Sequence, residues 1–367
     1  MLPETPGAAV PGEVRAIAVV RALFLGDLLL SVPAWRALRR RFPRAEITLI
    51  GLPWADAFVA RMGHLVDRLL LFPGYPGIQE VPYDPERTAA FLAEQRAYGY
   101  DLALQMHGDG TATNGFTAAL GARGSLGYAR PGDQRLAVCL PYEDGQHEAR
   151  RWLRLAGAVG APVGDARPEF RATAADRAEA AALLGSAPGG PRVAMHLGAK
   201  DPQRRWPPRQ FAALGQALRK RCGARLMLTG TAGERGLAAE AAAAMAEPPL
   251  DLTGRTGLGA FAALLARSDL LVTNDTGASH LAAAVGTPSV VLFGPTRPAV
   301  FAPLDGARHH AVDALAFAPP GASPAAALAH MPVRPVLDAC LAQLAAHAGP
   351  PAELARAVGG GEDLCAD

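Results

Sequence analysis

Leu270 to Pro295, LLVTNDTGASHLAAAVGTPSVVLFGP, reads as a strand, a polar turn, a helix of small residues and a second strand. Leu270, Leu271 and Val272 form a short apolar run. Asn274-Asp275-Thr276-Gly277 supplies residues that start helices and turn chains, and Ala278 to Val285 is a good helix former that stops at Gly286. The start of that helix faces the carboxyl edge of a sheet. Its unpaired N–H groups and the positive end of its dipole favour an anion, and open α/β sheets hold ligands at that edge. The stretch predicts an α/β fold with a phosphorylated ligand at this turn.

Upstream of it the same alternation begins near Pro191. Arg192 to His196 reads as a strand, Pro208 to Cys222 as a helix, Ala224 to Thr229 as a strand and Ala232 to Ala246 as a helix. Leu250 to Leu252 and a helix from Gly259 to Ala266 follow, and Pro335 to Ala346 closes the series as a helix. An earlier series starts with the strand Val14 to Val20, the turn RALFLGD and a helix from Leu28 to Arg41. Strands follow at Glu46 to Gly51, Asp67 to Phe72 and Asp101 to Gln105, then a helix from His147 to Val159. Alternating strands and helices predict parallel sheets, here two Rossmann-like domains facing a cleft. The expected boundaries are a disordered N-terminus over 1–12, a first domain over 13–165, a linker over 166–190, a second domain over 191–346 and a tail over 347–367.

Size and composition agree. A chain of 367 residues, 50% of them hydrophobic, exceeds one core's usual span. A net charge of +2 makes no case for a nucleic-acid binder, and the arginines at 36, 39, 40, 41 and 44 read as a solvated helix face or a face for an anionic surface. Cys139, Cys222, Cys340 and Cys365 show no CxxC or Cys/His spacing, which argues against a disulfide framework or structural zinc and fits a reducing cytoplasm. The opening MLPETPGAAVPGEVR lacks the pattern of a signal peptide. No apolar stretch reaches the ~18 residues of a membrane span, Asp27 and Asp269 interrupting the best candidates. No DxD-type pair suggests a metal, and no GxGxxG opens a helix after either first strand, so no cofactor is expected.

Six ordered blocks resemble the ADP-heptose:lipopolysaccharide heptosyltransferases, glycosyltransferase family 9. They are VVRALFLGDLLLSVPAWRALRRRFP (Val19 to Pro43), YDLALQMHGDG (Tyr100 to Gly110), HEARRWLRLAGAVG (His147 to Gly160), HLGAKDPQRRWPPRQFAAL (His196 to Leu214), LTGTAGERGLAAE (Leu228 to Glu240) and NDTGASHLAAAVGTP (Asn274 to Pro288). The resemblance implies a B-type glycosyltransferase fold and an inverting transfer from a nucleotide sugar to a lipid-linked saccharide. The partners would be ADP-heptose and a lipid A-Kdo acceptor, with cytoplasmic localisation and peripheral contact at the inner membrane face. Two departures stand out. The family usually carries a hydroxyl residue before its Gly-Asp pair, where this chain has Leu23 and Phe24. Many members also cluster cysteines beyond the last strand, whereas Arg308 to Met331 is rich in Ala and Pro.

At the matched positions the resemblance assigns Asp27 as the base that takes the acceptor's hydroxyl proton; its place after Gly26 also suits an N-cap of the helix from Leu28. Lys200 and Arg204, in the basic loop after Arg192 to His196, would neutralise the departing diphosphate together with N–H groups of Thr276, Gly277 and Ala278. A solvated basic loop is the plain alternative. Asp275 would cap its helix, orient neighbours or meet sugar hydroxyls, and a phosphate contact is excluded by repulsion. His280 would touch phosphate or fill an interface. Glu234 matches an acid placed for ribose hydroxyls, Gly254 and Leu258 lie in the segment expected near the adenine, and Gly26 and His107 fall on the acceptor side. Trp206 reads as a packing anchor. The alternatives are a transferase using another nucleotide sugar, a nucleotide-sugar epimerase of the same architecture, which needs no acceptor, and a non-catalytic binder, which would bind without turnover.

Overall fold

A computed structural model describes residues 12–185 and 189–347. The N-terminal stretch read as disordered, except Gly12, and the tail beyond His347, with Cys365, lie outside the described residues. The first sheet contains β1 (Ala16–Val20), β2 (Glu46–Gly51), β3 (Arg68–Leu71), β4 (Leu102–Gln105), β5 (Gly124–Ala129) and β6 (Val138–Pro141). The second contains β7 (Arg192–His196), β8 (Arg225–Thr229), β9 (Leu250–Asp251), β10 (Leu270–Asn274), β11 (Ser289–Phe293) and β12 (His309–Asp313). Their orders are β3-β2-β1-β4-β5-β6 and β12-β11-β10-β7-β8-β9, every pairing parallel. Each half is thus the same doubly wound sheet. The strand order reverses between β1 and β4 in one and between β7 and β10 in the other, and loops leaving those strands splay apart to make a crevice.

Buried parallel strands must be apolar on both faces. Ile17 and Val19 of β1 therefore point into a core running between the halves, while Ala18 and Val20 point into the outer core of the first half. The shared core also takes Leu29, Val32 and Trp35 from helix Leu25–Arg41 and Leu265 and Leu281 from the second half. That helix packs on Glu148–Gly157 and on Gly277–Val285. Its apolar face is therefore core. Two of its arginines are tied down as well, Arg36 to Glu169 at 3.1 Å and Arg39 to Asp67 at 2.5 Å. No helix among the described residues is long and apolar enough to cross a membrane.

The stretch 166–190, read as a linker, contains helix Ala174–Leu184, capped by Thr173 and packed on helix Leu258–Leu265. Asp176 in its first turn accepts a bidentate pair from Arg61 of the first half, at 2.6 and 2.9 Å. The connection is thereby pinned to both halves. Helix Val333–His347 returns to the second half, packing on Pro208–Cys222 and on β11.

Candidate active site

The loops leaving β1, β7 and β10 meet between the two switch points and enclose two adjoining cavities of about 480 and 380 Å³. Both are bounded by Phe24 and Gly26 from the first half and by Ala199, Lys200, Thr276 and Gly277 from the second. They form one cleft with two compartments.

In the larger compartment, Asp27 opens through about a third of its side-chain surface (34%). Helix Leu25–Arg41 starts at Leu25, not at Leu28, so Asp27 lies in its first turn and is not the N-cap. Its Oδ2 reaches back to accept from the Phe24 N–H at 3.4 Å. The carboxylate thus sits at the positive end of the helix. Behind it lies Arg21, fully buried, a residue that sequence reading did not single out. Its Nε donates to the Asp27 carbonyl at 2.8 Å, its Nη1 donates to the Met106 carbonyl, and Nη2 lies 4.0 Å from Asp27 Oδ1. The guanidinium also stacks over Trp152, 4.7 Å from the ring centroid. Burial pushes the Asp27 carboxyl above the usual carboxylate range, and Arg21 pulls it part of the way back. A carboxylate made more basic and aimed into a cavity has the property a general base needs.

Across the cleft, Thr276 caps helix Gly277–Val285, its Oγ1 accepting from the Ala278 N–H at 3.2 Å. The Ala278 amide is thereby occupied, and those of Thr276 and Gly277 open the helix toward the cavity. Asp275 does not cap. It is buried, its Oδ2 accepts from Thr296 Oγ1 at 2.6 Å, and Arg204 Nη1 lies 3.6 Å away. Burial raises its carboxyl, opposed by the Thr296 hydrogen bond and the Arg204 charge. Lys200 projects into the cleft, its Nζ 3.7 Å from the centre of the Phe24 ring. The basic loop is anchored by Trp206, whose N–H donates to Asn274 Oδ1 at 2.9 Å and whose indole donates to the Met331 carbonyl at 3.0 Å. Arg205 turns away to the Ala199 carbonyl at 2.9 Å.

The two helix starts approach closely. A Cβ on Gly26 would lie 2.9 Å from His280 Cδ2, and one on Gly277 would lie 3.3 Å from the Gly26 nitrogen. This near contact is why both positions carry glycine. His280 is buried there, and desolvation holds it neutral, its pKa lowered to about 4.

The smaller compartment is walled by Trp54, His196, Leu258 and Phe261, with Glu234 at its edge. His196 stacks on Phe261 at 5.7 Å between ring centroids. Glu234 Oε2 accepts from the Thr231 N–H at 2.6 Å and hydroxyl at 2.9 Å, so it fixes the loop after β8 while lining the cavity. The apolar walls and the single acid suit a flat heterocycle and its ribose.

Gly254 and His107 are not among the residues that line either compartment. Gly254 has φ +70°, and a Cβ there would lie 2.8 Å from the Ala232 Cα, so its glycine answers to a tight turn. His107 is mostly enclosed near Glu80, at 3.8 Å, and burial together with Arg21 lowers its pKa to about 4. Of the site residues read from sequence, the fold brings Gly26, Asp27, Lys200, Arg204, Glu234, Leu258, Asp275, Thr276, Gly277 and His280 to one cleft. Trp54, His196, Phe261 and Thr296 were missed; His196 opens the block His196 to Leu214 but carried no mark of a site, the other three lie outside the quoted blocks, and only the packed fold brings them here. Arg21 had a signal, a charge directly ending an apolar strand. No group of three metal-ligating side chains occurs among the described residues.

The model of glycosyltransferase family 9 (heptosyltransferase) matches residues 89–315. The chain belongs to this family. It is a glycosyltransferase, and the two compartments lie where the halves of such an enzyme face each other. Among curated members, lipopolysaccharide heptosyltransferase 2 of Salmonella typhimurium is 26% identical over 316 residues, covering 78% of this chain and 85% of that protein. Lipooligosaccharide heptosyltransferase 2 of Haemophilus influenzae is 28% identical over 312 residues, with 78% and 86% covered. In fold the chain is similar to a family 9 glycosyl transferase from Veillonella parvula, with TM-score 0.76, 19% identity and 92% and 99% of the two chains covered. It is also similar to ADP-heptose LPS heptosyltransferase II of E. coli, with TM-score 0.67, 22% identity and 90% and 98% covered.

Proposed function

We propose that this glycosyltransferase moves a heptose from ADP-heptose to an inner-core lipopolysaccharide acceptor or a related glycan, with inversion at the anomeric carbon. The observation that carries the reading is the pairing, across one cleft, of a raised-pKa carboxylate, Asp27, with an open helix N-terminus flanked by Lys200 and Arg204. Asp27 accepts the proton of the acceptor hydroxyl as its oxygen bonds to the anomeric carbon. The bond from that carbon to the diphosphate oxygen breaks, and the charge gathering on ADP meets Lys200, Arg204 and the amides of Thr276 and Gly277. Adenine lies in the smaller compartment near Leu258 and Phe261, the ribose within reach of Glu234, and Asp275 on the donor sugar's side. Residues 13–165 receive the acceptor and residues 191–346 hold the donor. The names of the two curated relatives, both heptosyltransferases of lipopolysaccharide or lipooligosaccharide, support this donor and acceptor. A lipid-linked acceptor sets the reaction at the inner face of the cytoplasmic membrane.

The test is ADP release from ADP-heptose with and without a lipid A-Kdo acceptor, for wild type and Asp27→Asn. Acceptor-dependent release by wild type that collapses in the variant is expected. Release without acceptor would move the reading to hydrolysis or epimerisation, and no release would send it to another nucleotide sugar or to a binding role.

A further inference from the structure

Phe24 stands where the family pattern leads one to expect a small hydroxyl residue, and it is 39% exposed, a large aromatic ring kept in an open cleft. It borders both compartments, as does Lys200. The ammonium of Lys200 lies over its face, 3.7 Å from the centroid, and no described residue forms a hydrogen bond or ion pair with that lysine. The contrast with Arg204 is direct, since that guanidinium lies 3.6 Å from the Asp275 carboxylate. One cation of the cleft is partly neutralised, and the other is held only by a ring.

We infer that Phe24 is a positioning residue for Lys200, holding the ammonium at the junction of the two compartments, where a diphosphate bridging nucleoside and sugar has to lie. This rests on the reading of the cleft as a nucleotide-sugar site. A carboxylate could hold the lysine equally well, but it would compete with the incoming phosphates and repel them. The ring's quadrupole attracts a cation without cancelling its charge and offers phosphate oxygens no rival acceptor. The ring is also mechanically tied to the base. The Phe24 N–H donates to Asp27 Oδ2 at 3.4 Å, so one turn of chain sets both the proton acceptor and the support of the phosphate-facing cation. Because Phe24 leaves the first sheet and Lys200 the second, the contact also fixes that cation relative to the opposite half.

The experiment is a double-mutant cycle on the full chain, read by calorimetric titration with ADP and, in parallel, with inorganic pyrophosphate. Phe24→Leu keeps apolar bulk and removes the π face; it is expected to weaken both ligands about three- to tenfold, whereas Phe24→Tyr stays within about twofold of wild type. In a Lys200→Met background, Phe24→Leu is expected to have no further effect. A ring with a merely structural role would weaken binding equally in both backgrounds, and that result overturns the proposal. Unchanged or tighter binding by Phe24→Leu also overturns it, since the ring would then be a plug over the lysine. If wild type binds pyrophosphate but not ADP, the nucleotide reading fails, while the pyrophosphate cycle still decides the role of Phe24. Binding of neither ligand sinks both. Thermal unfolding of each variant separates loss of fold from loss of positioning.

Discussion

The two halves build the same local unit, a parallel strand, a short loop and a helix at a switch point, and use its positive end in opposite ways. After β1 the helix end is taken up by the protein's own acid. Asp27 sits in the first turn, bonds back to Phe24, and is backed by the buried Arg21. After β10 the acid stands one residue ahead of the cap, is drawn aside by Thr296 and Arg204, and leaves the helix end to the cavity. A shift of a few residues in where the carboxylate stands thus gives one unit the proposed base and the other the proposed anion site. The physical reason is that a helix end can stabilise one nearby negative charge well, either a side chain's or a ligand's.

The largest effect expected from breaking this contrast comes from Asp27→Asn, which keeps shape and removes the proton acceptor. Turnover should fall by about 10²- to 10⁴-fold with ADP affinity little changed, as steady-state kinetics and calorimetry would report. An equal loss of affinity would place Asp27 with the donor instead.

Arg21→Met sharpens the first half's side of the comparison. Asp27 must be ionised to work, so the rate rises as pH passes upward through its pKa. The Arg21 charge lowers that pKa, and its removal should move the acid limb of the kcat profile to higher pH. A limb that stays in place would show that Arg21 serves only packing. Gly26→Ala tests the meeting of the two units. The new methyl presses on His280 Cδ2, and a loss of about 1–3 kcal/mol in stability, read as a lower unfolding midpoint, is expected.

The smallest effect belongs to the second half's cap. Thr276→Ala should cost about 1 kcal/mol in denaturant unfolding while freeing the Ala278 amide, and anion affinity should fall less than for Lys200→Met. An intact unfolding midpoint would mean that water replaces the cap without loss.

Much of this was legible beforehand, for identifiable reasons. The strands nearest the switch points are continuous apolar runs, because both of their faces are buried, and these were read with errors of one or two residues at their ends. Three strands farther from the switch points were not. GSLGYA at β5, VCLP at β6 and HHAVD at β12 carry glycine, proline or histidine and little continuous apolar character, and they are strands because a neighbour offers a ladder. The helix Ala174–Leu184 was hidden in a stretch with alanine on every side, which marks no buried stripe; what holds it is Arg61 and a neighbouring helix.

The sequence by itself determined two doubly wound halves and the chemical kinds present at each turn: an acid after one strand, cations after another, and a capped, glycine-bearing helix start after a third. Those are consequences of local pattern, since strand, turn and helix each need their own residue types within a few positions. Which of these groups stand together was decided only by the tertiary structure. The distance from Phe24 to Lys200, the near contact of Gly26 with His280, the burial of Arg21 against Met106 and Trp152 and the capture of Asp275 by Thr296 all join residues separated in the chain or in opposite halves. Charge and desolvation depend on such neighbours in space, so the Asp27 carboxyl acquires its raised pKa, the property the proposed base needs, only in the folded chain.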